Sequence, residues 1–214
     1  MSSTPQRKAA DAGPGTPKTA RGARTRARIL KAAEEAFGTL GYYRAGITDI
    51  TRGAGVAQGT FYCYFTGKEE TLRELVRDMG HKVRAHLARH VDGAQDRLDA
   101  EARGLRAFLG YVTENPWMYR VLQEAQFVDE EIYQEYYEAF GDAYATLLAD
   151  AVSRGEVRPG DNRVRAWALM GMSHFLGMRY GLWQSDVSPD DVVAAVDDML
   201  RLGLAPQPRS DDKP

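Results

Sequence analysis

The sequence predicts an all-α protein of nine helices, in which a three-helix head precedes a larger helical body. Two observations lead to this prediction. Apolar residues recur every three or four positions along most of the chain, which is the period of an amphipathic helix, and no convincing period-two strand interrupts them. Residues 46–65 also have the spacing of two short helices around a tight turn, so the head lies near the N-terminal end.

The segment before the first predicted helix is strongly basic. Residues 1–31 contain eight Lys or Arg side chains and one acid, a net charge of +7, whereas the rest carries 20 cations and 29 acids, a net charge of −9. A basic end on an acidic body suits a surface that meets phosphate. We expect residues 1–23 to form a disordered basic tail. A contact of Arg21, Arg24 or Arg26 with phosphates or the minor groove, and a solvated tail without a partner, both remain open.

The head is assigned to residues 24–70. Its first helix is predicted over Thr25–Leu40, with Ile29 and Phe37 on one apolar stripe. Thr48 is expected to cap the second helix, because its hydroxyl can accept a free backbone N–H. Gly55 suits the left-handed position that ends this helix.

The third helix is predicted from Gln58 to Phe65. Phe61 and Phe65, four residues apart, point inward, while polar and aromatic side chains point outward. A short second helix with such an outer face is what a helix-turn-helix requires, since that helix must enter the major groove of DNA. Residues 66–69, Thr-Gly-Lys-Glu, are interpreted as a capping box that starts the next helix.

Six more helices are predicted to follow, and most of their length forms a body over residues 71–205. Gly and Pro residues and capping acids set their bounds. These are Gly67 to His90, Ala94 to Thr113, a sixth helix starting at Pro116, a seventh from the Asp129 cap to Arg154, Arg163 to Trp183, and Ser188 to Gly203. Residues 206–214 are expected to be a disordered tail.

The head resembles the DNA-binding domain of the TetR family of bacterial transcriptional regulators, of the TetR/AcrR kind. The resemblance covers roughly residues 24–75 and fixes spacing across several helices. The matching positions are Ile29, Leu30, Ala33, Phe37, Gly41, Thr48, Ile50, residues 54–56, residues 59–62, Tyr64, Phe65, Lys68 and Leu72. Ala57 departs from the family pattern, in which a serine or threonine usually caps the recognition helix.

The resemblance implies double-stranded DNA with a palindromic operator as a partner. Gln58, Thr60 and Tyr64 are the candidates for contacts with base edges, because glutamine can pair bidentately with adenine. The candidates for phosphate contacts that set the register are Arg44, Thr48, Gly59 through its backbone, Tyr62 and Lys68. Packing between helices is the alternative for Tyr62, and a solvated charge is the alternative for Lys68.

The resemblance also implies a homodimer in which the last two long helices of each subunit form a four-helix bundle. The apolar runs 166–172 and 192–196 are wide for one-sided burial. Small residues there would permit close helix approach: Gly171, Gly177, Gly181, Ala194 and Ala195. The alternative is that both faces build only the subunit's own core.

Aromatic residues concentrate in the sixth to eighth helices, and their hydroxyl groups need hydrogen-bond partners. We therefore expect an effector cavity with aromatic walls and a few polar tips. Its predicted residues are Tyr111, Trp117, Tyr119, Arg120, Tyr133, Tyr137, Tyr144, Trp167, His174, Phe175 and Arg179. Residues 115–120 and 124–129 look like segments of family members linked to fatty-acid and aromatic-acid catabolism, some of which respond to acyl-CoA thioesters.

The sequence is thus interpreted as a ligand-responsive repressor that a small hydrophobic, aromatic or acyl-CoA-type effector releases from its operator. A DNA-binding activator or architectural protein without an effector remains an alternative. An enzyme is not expected, because no nucleophile–base spacing, phosphate-binding loop or metal motif is present. No cofactor is expected either.

Three further features bear on sensing and location. His86 and His90 have a metal-compatible spacing without a convincing third ligand, so no metal site is expected. Cys63 could act as an oxidation switch only if its pKa were depressed. One cysteine, no membrane-length apolar run and no signal-peptide core predict a cytoplasmic protein without a membrane partner, and the family implies association with the bacterial nucleoid.

Overall fold

The computed structural model describes residue 17, residues 19–183 and residues 185–204, and every regular element in that part of the chain is helical. The helices are α1 (Ala20–Leu40), α2 (Ile47–Ala54), α3 (Gln58–Tyr62), α4 (Lys68–Val91), α5 (Arg97–Glu114), α6 (Trp117–Val128), α7 (Glu130–Ser153), α8 (Asn162–Leu176) and α9 (Pro189–Leu204). A π-helical segment, Gly177–Leu182, continues α8. The predicted all-α class and the three-helix head are confirmed.

The first helix begins five residues earlier than predicted. The side chain of Thr19 accepts the N–H of Gly22 at 3.1 Å, which caps α1 and draws Ala20–Ala23 into its first turn. Residues 20–23 are therefore helical, where a disordered tail was expected. The remaining expectations for the two tails, at residues 1–16, 18 and 206–214, lie outside the described residues.

The cap of α2 is also not the one predicted. Gly46 is the N-cap, and the Asp49 carboxylate accepts the Gly46 N–H at 2.9 Å while the Asp49 N–H donates to the Gly46 carbonyl at 3.0 Å. Thr48 lies inside the first turn with its side chain exposed. The second helix ends as expected, because Gly55 adopts a left-handed conformation with a φ of 60°.

The third helix is shorter than predicted, because it ends at Tyr62 and Phe65 already belongs to the turn before α4. The capping acid of this turn is Glu70 rather than Glu69. The backbone N–H of Thr66 and the Thr66 hydroxyl both donate to Glu70 Oε2, at 2.5 and 2.6 Å. Gly67 is the N-cap of α4, and the helix begins at Lys68.

One continuous apolar core joins the head to the body. It contains Phe37 of α1, Phe61 of α3, Val76 of α4, Tyr119 of α6 and Ile132 of α7, all of which are fully buried. Because close-packed side chains transmit displacement, a shift of α6 or α7 would also displace side chains in the head. Two smaller apolar clusters lie further along the body, among α5, α7, α8 and α9.

The eighth predicted helix divides at Leu176, where the π-helical segment begins. This segment packs closely against its own subunit. A Cβ atom at Gly177 would lie 2.6 Å from the Tyr119 hydroxyl, and one at Gly181 would lie 3.0 Å from Val112. These two glycines therefore serve packing inside the subunit, rather than the approach of a partner's helix. π-helical turns often occur at functional positions.

Candidate functional site

The outer face of α3 is exposed above a fully buried phenylalanine. Gln58 and Gly59 are exposed, Thr60 is half-buried, and Tyr62 stands edge-on to the ring of Phe61 beneath it. A Cβ atom added at Gly59 would meet nothing within 4 Å. The helix thus presents a short polar surface with room for another molecule to approach its backbone. Ala57 is the N-cap and makes no side-chain hydrogen bond there, so this cap is weak, as the sequence indicates.

The other predicted DNA contacts flank this face. Thr48 is exposed in the first turn of α2, and Arg44 is exposed in the loop before it, with its Nε atom donating to the Leu40 carbonyl at 2.8 Å. Tyr64 is half-buried and packs against the core of the head. A role for these three residues in DNA binding stays a prediction, and the burial of Tyr64 makes it the least accessible of them.

Lys68 has a structural use that the sequence did not reveal. Its ammonium group donates to the carbonyls of Tyr42 at 2.8 Å and Ala45 at 3.1 Å, reaches the Tyr43 carbonyl at 3.4 Å, and lies 4.4 Å from the centre of the Tyr42 ring. These contacts occupy the three protons of the ammonium group. Lys68 therefore holds the loop between α1 and α2, and we leave it out of the proposed phosphate contacts.

This assignment predicts that Lys68→Met lowers the free energy of unfolding by about 1–3 kcal/mol, because buried carbonyls lose their partners. The salt dependence of DNA binding should stay unchanged. Chemical denaturation and binding titrations at several salt concentrations measure the two effects. Lys82→Met is the matched control on α4, where Lys82 is exposed and pairs with the half-buried Asp78. A smaller salt dependence with full stability would instead assign Lys68 to phosphate.

The predicted effector residues do not form one group. Four of them lie together among α6, α7 and α8: Tyr119, Tyr133, Tyr137 and His174. The ring of Tyr111, on α5, instead contacts His86 of α4, with the ring centres 5.0 Å apart. The Tyr119 hydroxyl donates to the His174 carbonyl at 2.6 Å, and the Tyr137 hydroxyl lies 3.5 Å from His174 Nδ1. Burial lowers the pKa of His174 below 6.5, so the ring is neutral at pH 7 and offers hydrogen bonds rather than charge. Burial also raises the pKa of Tyr111 to about 12.

The other predicted effector residues lie elsewhere. Tyr144 donates to Glu101 in a separate polar cluster with Arg97. Trp167 covers Gly141 of α7, Phe175 points away from the subunit, and Arg179 is exposed with its guanidinium 5.1 Å from the centre of the Tyr180 ring. Trp117 and Arg120 contact the head. Tertiary packing thus separates aromatic residues that the helical period alone could not sort.

Trp117, Arg120 and Glu124 form a clamp between α6 and the end of α1. The Trp117 ring packs so closely on Gly38 that a Cβ atom there would lie 2.5 Å from it. Arg120 Nη1 donates to the Gly38 carbonyl at 2.8 Å, and the Glu124 carboxylate accepts the N–H of Tyr42. The carbonyls at a helix end lack partners within the helix, and this clamp supplies one from the body.

A second connection joins α4 to α7. Arg73 pairs with Asp129, the N-cap of α7, and Arg77 pairs with Glu135 through two hydrogen bonds of 2.9 and 2.8 Å. Burial alone would raise the pKa of Asp129, but hydrogen bonds from Arg73 and from the Ile132 N–H bring it below its ordinary value. The hydrogen bonds from Arg77 likewise lower the pKa of Glu135. These pairs hold α4, the helix that continues from the head, against α7, while the α6 clamp holds the end of α1.

Comparison with known proteins identifies the family. The sequence pattern described as "Bacterial regulatory proteins, tetR family" matches residues 29–75. The probable HTH-type transcriptional regulator ArpR of Pseudomonas putida is 33% identical over 202 residues, which cover 85% of this chain and 93% of the relative. The chain belongs to the TetR family. A second relative, the HTH-type transcriptional regulator TtgR, also of Pseudomonas putida, is 32% identical over 199 residues, with the same coverage of both chains.

Solved structures show the same TetR-family fold. The fatty acid degradation regulator FadR from Bacillus halodurans superposes with a TM-score of 0.71 at 20% identity, over 81% of this chain and 96% of that one. FadR from Bacillus subtilis in complex with stearoyl-CoA gives the same TM-score at 18% identity, with the same coverage. The matched family pattern and the two Pseudomonas relatives make this TetR-family chain a helix-turn-helix DNA-binding regulator, as the sequence predicts.

The structure gives a mechanical explanation for the segments that resemble regulators of acid catabolism. Within residues 115–129, Trp117, Arg120 and Glu124 hold the head, and Asp129 caps α7 and binds Arg73. Most of these contacts thus fix the head and α4 against the rest of the TetR-family fold, whereas Tyr119 lies beside His174. The acyl-CoA expectation therefore has little support from the placement of these residues.

Other sequence features have a local explanation in this TetR-family chain. Within the described residues, no group of three His, Cys, Asp or Glu side chains is placed to hold a metal ion, and no helix is long and apolar enough to cross a bilayer. The His86 and His90 rings lie 4.2 Å apart, and His90 Nδ1 is 2.8 Å from the His86 carbonyl. Cys63 is exposed, with its Sγ atom 3.3 Å from the Gly59 carbonyl.

Proposed function

We propose that this TetR-family regulator is a homodimeric repressor that binds a palindromic operator and is released from it by a small hydrophobic effector. The observation that supports DNA binding most directly is the exposed polar face of α3 above the buried Phe61. In this proposal Gln58 and Thr60 reach base edges in the major groove. Phosphates are contacted by Arg44, Thr48, Tyr62 and the backbone at Gly59, and these contacts set the position of the helix-turn-helix on the duplex.

The proposed dimer interface uses an exposed apolar stripe on α8 and another on α9. Val164, Ala168 and Phe175 are exposed and Gly171 is half-buried, and their four–three–four spacing places them on one face of α8. On α9 the exposed apolar positions are Ala194, Ala195, Met199 and Leu202, and the last three follow a four–three spacing on one face. These residues are not part of the subunit's own core, whereas Ala166, Leu169, Val192 and Val193 are buried in it. Exposed apolar stripes of this length are typical of protein interfaces.

The proposed effector region is the aromatic cluster around Tyr119, Tyr137 and His174. It adjoins the π-helical segment and the shared core, so a ligand that displaces its side chains would also press on α6 and α4. The α6 clamp and the α4–α7 pairs then convert that shift into a changed distance between the α3 helices of the two subunits. FadR from Bacillus subtilis shares this fold and was solved with stearoyl-CoA, so acyl-CoA thioesters belong among the effectors to be tested, with aromatic and hydrophobic compounds.

A regulator without an effector is the second candidate. It is favoured by the internal pairing of the hydroxyl groups in this region, since Tyr119 already donates to the His174 carbonyl and the Tyr137 hydroxyl lies 3.5 Å from His174 Nδ1. Thermal melting against acyl-CoAs, fatty and aromatic acids and hydrophobic drugs distinguishes the two, because only a ligand that binds the folded protein raises the melting temperature.

DNA binding through α3 is tested by Gly59→Ala. A Cβ atom at this position meets open space, and alanine favours a helix more than glycine does. The free energy of unfolding should therefore rise by up to about 1 kcal/mol. Affinity for a duplex selected by the wild-type protein from a random library should nevertheless fall roughly tenfold or more, since the methyl group separates the backbone from a phosphate. Denaturation and fluorescence anisotropy measure the two opposite effects.

Gly110→Ala is the matched control, because Gly110 is an exposed helical glycine of α5 with the same open surroundings. It should raise stability by a similar amount and leave DNA affinity unchanged. If Gly59→Ala bound the selected duplex as tightly as Gly110→Ala does, α3 would not approach the DNA backbone through Gly59. If the wild-type protein selected no duplex at all, the proposed function would fail.

A further inference from the structure

Three arginines form a stripe on the N-terminal half of α1. Arg21, Arg24 and Arg28 follow the three–four spacing of one helix face, and all three line a cleft of about 460 Å³. The opposite wall consists of the turn between α2 and α3 together with one residue of α3 itself: Gly55, Val56, Ala57 and Thr60. The basic stripe and the recognition helix therefore face the same open space.

The neighbouring arginine on α1 has a different environment. Arg26 pairs with Glu74 of α4 and lies 5.3 Å from the centre of the Phe65 ring, so its charge is balanced by contacts within the head and α4. Within residues 19–183 and 185–204, Arg21 and Arg24 form no ion pair with a carboxylate, and both are exposed. The sequence left Arg21, Arg24 and Arg26 as equal candidates, and the structure separates the first two from the third.

Helix stability does not explain where Arg21 and Arg24 stand. The first turn of a helix favours acids, because the free N–H groups carry partial positive charge, and the first turn of α1 contains none. Two cations within the first five residues of α1 oppose that preference. An anion in the cleft would compensate for this cost.

Arg28 fixes the position of the cleft relative to α3. Its Nη2 atom donates to the Ala54 carbonyl and lies 3.2 Å from the Gly55 carbonyl, which holds the stripe against the end of α2. Thr60, on the opposite wall, is one of the residues proposed to reach base edges. A duplex held by α3 would therefore bring its backbone to the mouth of the cleft.

We propose that this cleft receives backbone phosphates of the DNA beside each half-site, and that Arg21 and Arg24 donate hydrogen bonds to them. This inference rests on the proposed DNA binding and extends its contact surface from α2 and α3 to α1. The planar guanidinium group suits bidentate contact with phosphate oxygens. Such contacts strengthen binding without reading sequence, so they act equally on different duplexes.

The double variant Arg21→Gln, Arg24→Gln tests the inference. Each lost phosphate contact reduces the slope of log K against log salt by about 0.9, so a dimer that loses two to four contacts should show a slope smaller by roughly 2 to 4. Affinity should fall by a similar factor for the duplex selected by the wild-type protein and for an unrelated duplex of equal length. Lys82→Gln is the charge control, because Lys82 is paired with Asp78 on α4.

A second arm uses the DNA as the variable. Single phosphates of the selected duplex are replaced by neutral methylphosphonates, one position at a time. At one or two positions beside each half-site, the replacement should lower the affinity of the wild-type protein. At the same positions it should leave the affinity of the double variant unchanged. Thermal melting of the double variant, expected to equal or exceed that of the wild type, excludes a folding defect.

Two outcomes would overturn the inference while leaving the proposed function intact. The first is a double variant with the wild-type salt slope and affinity. The second is a loss confined to the selected duplex, because that would assign Arg21 and Arg24 to base readout instead of phosphate binding. If the wild-type protein bound no duplex, the proposed function would fail first, and the inference would fail with it.

Discussion

Glu101→Gln is expected to lower the free energy of unfolding by about 3–5 kcal/mol, although it keeps the size of the side chain. Glu101 is 8% exposed and accepts hydrogen bonds from Arg97, whose Nε atom lies 2.7 Å from Glu101 Oε1, and from the Tyr144 hydroxyl. The amide cannot balance the charge of Arg97, whose side chain is 12% exposed and lies beside the ring of Tyr144. Urea denaturation at neutral pH measures the loss.

Two comparisons make this result specific. Asp78→Asn removes an ion pair of the same i,i+4 spacing in an exposed part of α4 and should cost no more than about 0.5 kcal/mol. The double variant Arg97→Met, Glu101→Leu should recover part of the stability, because it leaves no unpaired ion, and the Tyr144 hydroxyl is then the group without its acceptor. A cost for Glu101→Gln as small as that for Asp78→Asn would show that the cluster does not stabilise the body.

Phe175→Glu is expected to dissociate the dimer. Phe175 is 66% exposed within the α8 stripe, so the change should leave the subunit folded. In a symmetric interface it would bury two carboxylates against apolar surface, which should raise the dissociation constant roughly 100-fold or more. Affinity for the selected duplex should fall in parallel, because one head then binds one half-site alone. Analytical ultracentrifugation measures the assembly.

Phe127→Glu is the matched control, since Phe127 of α6 is 79% exposed and lies outside both stripes. It should leave the dimer and its DNA affinity unchanged. A dimer that tolerates Phe175→Glu, or that dissociates equally with Phe127→Glu, would place the interface elsewhere than on α8.

Local patterns predict most of the head. Phe61 and Phe65 are buried as their four-residue spacing indicates, and Gly55 ends α2 as its conformational freedom indicates. Helix caps are harder to predict from sequence, because neighbouring side chains compete for the same free N–H groups. Asp49 rather than Thr48 completes the first turn of α2, and Glu70 rather than Glu69 binds Thr66.

The body shows why the effector site could not be predicted in the same way. Trp117 and Arg120 share a face of α6 with Glu124, but nothing in that helix indicates that their partners lie about 80 residues earlier, at the end of α1. Tyr144 likewise lies with Glu101, 43 residues away in sequence. Helical periodicity predicts which side chains point inward, but only the packing of helices against one another decides which of them meet.

In the proposed mechanism, one dimer binds an operator and releases it when an effector binds the body. The most direct test is fluorescence anisotropy of a labelled duplex, selected by the wild-type protein, with and without a saturating compound that raises the melting temperature. We expect tight binding without the compound and an affinity at least fivefold lower with it, within the usual range of coupling between sites. An unchanged affinity at saturation would contradict this mechanism.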